Sequence, residues 1–323
     1  MSNLKVVITD YQYEHINVER NIFQNAGFDL YDYQYKKAEE LIPVVKDADA
    51  IVTQYSDVTK EVIEQLDHCK IIIKYGIGVN NIDVEAATKK GIYVCNVPDY
   101  GVEEVSDHAI TMILCLAKKL RIITEALKNG DWGYTSIVPL FRFKECKLGL
   151  VGFGRIPQLI AKKLSGFDIK IMAYDPYIKQ ETAKNFKVEL ADLDTIIKEC
   201  DFISVHLPLT TETNHLINKE SFKNMKNSAI IINTARGGVV CEEDLIEALN
   251  KGEIAGAGLD VFETEPIRMN HKLLHMKNVI ATPHCAWYSE TAITTLQYKV
   301  AQEVVNVLQG NKPYNCVNQS ELE

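Results

Sequence analysis

The chain has 323 residues, 46% of them hydrophobic and 24% charged, with a formal net charge of −9. That length exceeds one typical core and suits two domains. The acidic balance speaks against a nucleic-acid surface, which needs a basic stripe. Leu4–Ile8 is too short for a signal-peptide core, and the longest membrane-like stretch, Ala109–Ala117, is far below a bilayer span. The cysteines are widely spread with no C-x-x-C pair. They read as reduced thiols of a cytoplasmic protein, and no metal site is expected.

Residues 1–98 alternate apolar runs with helical patterns. Val6–Thr9, Ala50–Val52, Lys70–Lys74 and Ile92–Cys95 read as strands of a parallel sheet. Ile16, Val18, Ile22 and Phe23 mark a helix ended by Gly27, and Val62, Ile63 and Leu66 mark another. No phosphate loop lies near the start, so this layer does something other than hold a dinucleotide. Lys74-Tyr75-Gly76-Ile77-Gly78-Val79-Asn80-Asn81-Ile82-Asp83 follows a strand, where open α/β sheets bind ligands. Its backbone N–H groups suit a carboxylate. An ordinary glycine-rich turn is the equal alternative.

Asn96–Gly101 breaks the pattern and marks a crossover. Glu103–Leu127 reads as one long helix, apolar nearly all round in its middle. Such a helix is buried in a core or against another subunit. Residues 129–146, with Trp132, Tyr134, Phe141 and Phe143, form an arm that packs on a partner or a loop with its own small core.

The pattern then becomes specific. Leu148–Val151 is an apolar run, followed by Gly152-Phe153-Gly154-Arg155-Ile156 and a helical pattern through Leu159, Ile160 and Leu164. A second run, Ile169–Tyr174, ends at Asp175. Two glycines for a tight turn, a helix N-terminus facing phosphates and an acid for the ribose hydroxyls make this a dinucleotide unit rather than a plain βαβ turn. Pro157 replaces the third glycine of G-x-G-x-x-G, and proline is tolerated in a first helical turn. Asp175 repels a 2′-phosphate, and Pro176-Tyr177 supplies no arginine for one, so NAD is expected over NADP.

The strand–helix rhythm continues with strands at Phe202–Val205, Ala229–Ile232, Ala257–Asp260 and Val279–Ala281. Three motifs follow such strands: Asn233-Thr234-Ala235-Arg236-Gly237-Gly238, Asp260-Val261-Phe262-Glu263-Thr264-Glu265-Pro266, and Pro283-His284 with Cys285-Ala286-Trp287. Singly, Arg236 reads as a surface ion-pair partner, Glu265 as a solvated acid and His284 as a loop histidine. Together they supply a carboxylate anchor, an acid/base and an acid to hold it, which is what carbonyl reduction needs. The amphipathic helix Glu290–Gln309 is expected to return to the first domain. The boundaries expected are 1–99 plus 288–323 for substrate and 100–287 for NAD.

These motifs, with Gly76-Ile77-Gly78…Asn81-Ile82-Asp83, His206-Leu207-Pro208-Leu209-Thr210 and Thr282-Pro283-His284, resemble the D-isomer-specific 2-hydroxyacid dehydrogenase family over nearly the whole chain. Val94-Cys95-Asn96-Val97-Pro98, Val102-Glu103-Glu104, Ala286-Trp287-Tyr288-Ser289-Glu290 and Asn315-Cys316-Val317-Asn318 are most similar to its carboxyl-terminal binding protein branch. The fold implied is α/β, two doubly wound parallel-sheet domains, with a Rossmann-type cofactor domain inserted into a flavodoxin-like substrate domain. The activity implied is reversible hydride transfer between NADH and C2 of a small 2-oxo acid by a homodimer.

The resemblance also implies roles. His284 exchanges the alkoxide proton, Glu265 orients it and holds its charged form, and Arg236 clamps the carboxylate and polarises the carbonyl. Substrate contacts fall to Lys74, Tyr75, Gly76, Ile77, Gly78, Arg236 and Trp287. Cofactor contacts fall to Gly152, Phe153, Gly154, Arg155, Ile156, Asp175, His206, Leu207, Pro208, Thr213, Thr234, Ala235, Arg236, Asp260, His284 and Ala286. Trp287 either lines the pocket or packs a hinge. Lys74 stands where the co-repressor branch has arginine, leaving a point charge, and Ile77 replaces a small residue. The regulatory extensions of long phosphoglycerate dehydrogenases are missing, so serine feedback is not expected. A NAD(H)-sensing scaffold with little turnover is the alternative function; intact Arg236, Glu265 and His284 argue against it. Formate dehydrogenase is disfavoured, because it has glutamine at the position of Glu265.

Overall fold

Short runs of valine and isoleucine, each followed by a helix, build two separate parallel sheets. The structure, a computed structural model, describes residues 3–322. Residues 1, 2 and 323, at the ends of the expected substrate domain, lie outside the described residues.

One compact unit takes the chain up to Gly101 and again from Ser289. In it β1 (Lys5–Ile8), α1 (Asn17–Ala26), β2 (Asp29–Asp32), α2 (Ala38–Val45), β3 (Ala50–Thr53), α3 (Lys60–Glu64), β4 (Ile71–Lys74), α4 (Val84–Lys89) and β5 (Tyr93–Cys95) follow one another. The strands lie in the order β2-β1-β3-β4-β5, all parallel, with Val6 opposite both Leu30 and Ala50. Alternate strand residues point to opposite faces. Val7, Ile51, Ile72 and Val94 therefore join Leu41, Val62 and Ala87 in one core.

The second unit, Val102–Tyr288, runs through α5 (Val102–Ala117), α6 (Leu120–Lys128), β6 (Lys147–Val151), α7 (Arg155–Leu164), β7 (Lys170–Tyr174), α8 (Gln180–Asn185), β8 (Glu189–Leu190), α9 (Leu193–Glu199), β9 (Phe202–Val205), α10 (Lys219–Asn224), β10 (Ile230–Asn233), α11 (Glu242–Lys251), β11 (Gly256–Leu259), α12 (Lys272–His275) and β12 (Val279–Ala281). Its seven strands are ordered β12-β11-β10-β9-β6-β7-β8 and pair in parallel. The chain starts in the middle at β6, builds outward through β7 and β8, then returns to β9 on the other side. The gap between β6 and β9 is a topological switch point, where open sheets bind ligands beyond their carboxyl ends. Two apolar layers cover the sheet. Leu148, Leu150 and Ile232 pack with Met112 and Ile113 of α5, and Val151, Ile203 and Ile231 pack with Phe222 and Leu245.

Back in the first unit, α13 (Glu290–Leu308) and the short α14 (Gln319–Leu322) complete the chain. Ser289 caps α13 by accepting from Ala292 N at 2.9 Å. Leu296, Val300, Val304 and Val307 on one α13 face are buried, and the helix packs on α1 and β4. Each such side chain stabilises the unit by about 1.5–3 kcal/mol.

The expected helix over 103–127 is two helices. α5 ends at Ala117, and Lys119 takes a left-handed φ of 49° before α6 begins. The cause is the loss of a buried face. Ala109, Met112, Ile113 and Leu116 are buried, while none of α6 is. α5 is not buried all round; it buries this stripe and leaves Ile110 and Leu114 only partly covered. Two of the arm's aromatic residues are nearly fully exposed, Trp132 at 89% and Tyr134 at 73%. Phe143 turns inward against Phe202, ring centroids 5.4 Å apart. Among the described residues, no helix is long and apolar enough to cross a membrane.

Candidate active site

The turn after β6 shows how backbone chemistry dictates residue type. Gly152 has φ +93°, and a Cβ there would lie 2.9 Å from His206 O, so only glycine fits between β6 and β9. A Cβ on Gly154 would meet nothing within 4 Å. Gly154 is the N-cap of α7, with no side-chain capping bond, so the first-turn N–H groups of the helix face open space. Pro157 is buried in that first turn, where its lack of N–H costs no helical bond. Phe153 is fully buried and packs on Phe186; Arg155 is exposed and Ile156 half-buried.

Asp175 follows β7 and ties the turn down. Its Oδ2 accepts from Phe153 N at 2.8 Å and its Oδ1 from Tyr177 N at 2.9 Å. Each carboxylate oxygen keeps a lone pair for a ligand hydroxyl.

After β9, His206 turns inward. Its Nε2 lies 2.8 Å from Ser204 Oγ, and burial pushes the imidazole down to about 3, so it is neutral at working pH. Its contribution to the cofactor wall is therefore backbone and shape. Leu207 is half-buried against the core, and Pro208 is exposed. Thr213 Oγ1 donates to Pro208 O at 2.6 Å and accepts from Thr210 N at 2.8 Å. The expected cofactor hydroxyl is thus occupied in closing its own loop.

The chemistry gathers at the carboxyl ends of β10, β11 and β12. Asn233, buried at the end of β10, accepts from Ala235 N at 3.0 Å and donates to Arg236 O at 2.9 Å. This Asx-type turn aims Arg236, whose Nη1 donates to Ala235 O at 2.6 Å. The reading from sequence missed Asn233, although an Asn ending a strand three residues before a functional Arg is a usable signal. Thr234 Oγ1 is buried with no hydrogen-bond partner among the described residues. An orphaned hydroxyl is costly unless a ligand completes it.

Gly237 lets the next loop approach. A Cβ there would sit 1.9 Å from Phe262 C, so the backbones of the Arg236 and Phe262–Glu265 loops are in direct contact. Glu265 Oε1 accepts from Phe262 N at 2.9 Å and its Oε2 meets His284 Nδ1 at 2.6 Å. Burial pushes the Glu265 carboxyl up. The hydrogen bond and charge of His284, the Phe262 N–H and the charge of Arg236 outweigh it, so the net position lies below the ordinary carboxylate range. Glu265 is therefore ionised at neutral pH. The pair's stabilising contribution is present above the ordinary carboxylate range and is lost as pH falls through the depressed value.

His284 itself has φ 53°, an uncommon conformation for a residue with a side chain and one that clusters at functional sites. Its N–H donates to Asp260 O at 2.8 Å, and Trp287 Nε1 donates to its carbonyl at 3.0 Å. Asp260 is fully buried and works on the protein. It accepts from Thr282 Oγ1 at 2.5 Å, Cys285 N at 3.0 Å and the buried Ala286 N at 2.9 Å. Its oxygens hold the loop that carries His284. His108 Nε2, 3.0 Å from Thr282 Oγ1, supports the same network and had no signal in sequence. Elsewhere His215, Cys241 and Glu263 bring ligand atoms within 4.8 Å. There Glu263 Oε1 pairs with His215 Nε2 at 3.0 Å and accepts from Glu242 N at 2.9 Å, which accounts for the cluster.

In the other unit, Lys74–Gly78 follows β4. Lys74 Nζ donates to Gln54 O and to Asn81 Oδ1, the latter at 2.7 Å. Tyr75 is buried, its hydroxyl 2.6 Å from Glu19 Oε1. Two of the expected cradle donors are already engaged, since Tyr75 N bonds Thr53 O at 2.8 Å and Gly76 N bonds Lys74 O at 2.9 Å. The turn folds back on its own strand, which leaves the N–H groups of the exposed Ile77 and half-buried Gly78 for an anion.

A phosphate-type turn at a sheet switch point, with a carboxylate–imidazole pair and a guanidinium beside it, defines a dinucleotide-dependent oxidoreductase of carbonyl or alcohol groups. The open space at Gly154 and the orphaned Thr234 hydroxyl fit such a cofactor. Residues 110–286 match the family model "D-isomer specific 2-hydroxyacid dehydrogenase, NAD binding domain". The chain is 41% identical over 289 residues to a glyoxylate reductase of Thermococcus litoralis, covering 87% of each. It is 42% identical over 287 residues to a D-3-phosphoglycerate dehydrogenase of Methanocaldococcus jannaschii, covering 87% of this chain and 53% of that one, so it spans about half that relative's length. The crystal structure of D-lactate dehydrogenase from Aquifex aeolicus complexed with NAD and lactic acid superposes with TM-score 0.87 at 30% identity, covering 97% of this chain and 98% of that one. The chain belongs to the D-isomer specific 2-hydroxyacid dehydrogenase family: an oxidoreductase of CH–OH donors with an NAD-binding domain. The comparisons do not single out the co-repressor branch.

Proposed function

We propose that this protein reduces the C2 carbonyl of a small 2-oxo acid to the D-hydroxy acid, reversibly, with NADH. The observation that carries the reading is the 2.6 Å contact between His284 Nδ1 and Glu265 Oε2, next to the loop that aims Arg236. Bound NADH supplies the hydride, and NAD accepts it in the oxidative direction. The groups that would hold the cofactor are the Gly152–Ile156 turn, Asp175 at the ribose, and the Thr234-Ala235 wall. Arg236 presents a planar fork that binds the substrate carboxylate and polarises the neighbouring carbonyl. His284, held through Nδ1, offers Nε2 as the proton donor to the forming alkoxide. Glu265 holds the imidazole in orientation through that contact. Within the first unit, the Ile77 and Gly78 N–H groups are assigned to a carboxylate, with Lys74 as a fixed charge held by Gln54 and Asn81. The domain roles, substrate for 1–99 with 288–323 and NAD for 100–287, belong to this proposal. So does a cytoplasmic setting, with which the eight free thiols agree. NADH oxidation in the presence of short 2-oxo acids tests it.

Asp175 sets the cofactor preference. A 2′-phosphate beside its carboxylate is a like-charge contact, which costs several kcal/mol. With NADPH, kcat/KM is expected to fall by about 10²-fold or more relative to NADH. Equal efficiencies in initial-rate assays would remove Asp175 from the ribose.

The exposed arm carries a second proposal. Trp132, Tyr134, Val138 and Phe141, with Leu120 and Leu127 of α6, leave large apolar side chains in solvent. Exposed apolar side chains that gather in one patch mark an interaction site. A second copy of the chain is assigned as its cover, and light scattering should read twice the chain mass; a single-chain mass would overturn it.

A further inference from the structure

The C-terminal segment forms an isolated β-bridge with the edge of the first unit's sheet. Cys95, at the end of β5, pairs antiparallel with Cys316. Asn96 N donates to Asn315 O at 3.3 Å and Val317 N to Val94 O at 2.8 Å. The ladder bonds thus flank the two cysteines, which face each other as a non-hydrogen-bonded pair. In such pairs the Cα atoms are about 4.5 Å apart and the side chains approach most closely. A disulfide spans Cα separations of about 4.4–6.8 Å.

Both backbones are held in place without any covalent bond. Buried Asn318 accepts from Val94 N at 2.9 Å and donates to Thr88 Oγ1 at 2.8 Å and Ile92 O at 3.0 Å. Glu303 of α13 accepts from Tyr314 N at 2.6 Å and Asn315 N at 3.0 Å.

The two thiols differ in a useful way. Cys95 is fully buried, and Cys316 is partly exposed. A hydrogen bond from Cys95, helped by the Asn318 and Val94 backbone and opposed by burial and Glu303, brings Cys316 down to about 7. Burial instead pushes Cys69 and Cys200 up to about 12, and raises Cys146, Cys241 and Cys285. The thiolate is the reactive form, so Cys316 is distinguished from those five.

We propose that Cys316 and Cys95 are a reversible redox pair, in which a hydroperoxide oxidises Cys316 and Cys95 resolves it into a disulfide that fastens the C-terminal segment to the sheet edge. The Cys316 thiolate attacks the peroxide: an S–O bond forms, the O–O bond breaks, and the departing oxygen takes a proton to leave as water or alcohol. Cys95, losing its proton, then attacks Cys316 Sγ. The S–S bond forms, the S–O bond breaks, and water leaves. Two thiols lose two electrons and two protons, and the peroxide gains both. A dithiol reverses the step by exchange.

The bond reaches the substrate turn. Asn96 Nδ2 donates to Ile77 O at 2.7 Å and Val97 N to Gly76 O at 2.9 Å, so the residues after Cys95 hold that turn. This consequence rests on the proposed carboxylate role of Ile77 and Gly78; the bond itself does not.

The test treats the reduced full chain with hydrogen peroxide at stoichiometric amounts and maps the product by peptide mass spectrometry. The expected result is a Cys95–Cys316 linked peptide, formed before any other cysteine is oxidised and removed by dithiothreitol. C316S should form no disulfide at Cys95. C95S should accumulate a Cys316 sulfenic acid that dimedone captures. Because Cys95 is in the core, C316S keeps the test valid if C95S folds poorly. Oxidation scattered over the other cysteines, or both thiols still alkylatable after unfolding, would overturn the pair. With the bond mapped, KM for the oxo acid should change at least about twofold while NADH affinity stays constant. An unchanged KM would overturn the coupling to the turn, and loss of turnover in the reduced enzyme would count against the proposed function instead.

Discussion

Replacing His284 with alanine should lower turnover by about 10²–10⁴-fold, the usual contribution of a positioned acid/base, while NADH still binds. The expectation follows from separation of labour within the second unit. Phosphates and ribose are assigned to the turn after β6 and to Asp175, whereas His284 sits after β12, held by Asp260 and Trp287. The alanine variant removes the imidazole and leaves those backbone bonds available. NADH fluorescence titration and steady-state rates read the two separately. Full turnover in the variant would remove His284 from proton transfer. Glu265→Gln sharpens the assignment. Glutamine keeps the side chain's size but removes the ionised acceptor 2.6 Å from His284 Nδ1, so the ring loses its charge-assisted bond. Turnover should fall while NADH still binds, and unchanged turnover would make Glu265 structural.

Gly237→Ala should destabilise the protein by about 3–5 kcal/mol, the range reserved for a named structural clash. The added Cβ would sit 1.9 Å from Phe262 C and 2.1 Å from Phe262 O. Both are backbone atoms, so no side chain can rotate away. Either the Arg236 loop or the Phe262–Glu265 loop must move, and both carry proposed catalytic groups. Activity should fall with the melting temperature, and residual enzyme should show a raised KM because Arg236 is displaced. A variant that melts and turns over like the parent would show that the two backbones are not in contact.

How much of this was legible in the sequence depends on what sets each feature. The Gly152–Asp175 unit was readable because its spacing is the length of one helix and one strand, and both ends need particular residue types. Pro157 fitted because the first helical turn has no acceptor waiting for its N–H. The break at Lys119 was not readable, because Leu120–Lys128 still carries a helical pattern and only the loss of a buried face separates it from α5. β2 was missed because Asp29-Leu30-Tyr31-Asp32 is an edge strand with an acid at each end, and α2 because Pro43 interrupts its pattern. At the site, residue identities were legible but hydrogen-bond occupancy was not. Asp260 reads as a cofactor contact in sequence, and its bonds to Cys285 N and Ala286 N leave no trace there. The glycines before Val79 read as an open cradle, yet Gly76 N–H already bonds Lys74 O. Whether a polar group is available is decided by its three-dimensional neighbours, and one-dimensional spacing carries no record of them.

The most direct test of the central claim is the initial rate of NADH oxidation across a panel of 2-oxo acids: glyoxylate, pyruvate, hydroxypyruvate, phosphate- and phosphonate-bearing acids, and branched or thioether side chains. The account predicts saturable turnover with at least one short member, lost in His284→Ala. Tight NADH binding with no turnover of any member would contradict it.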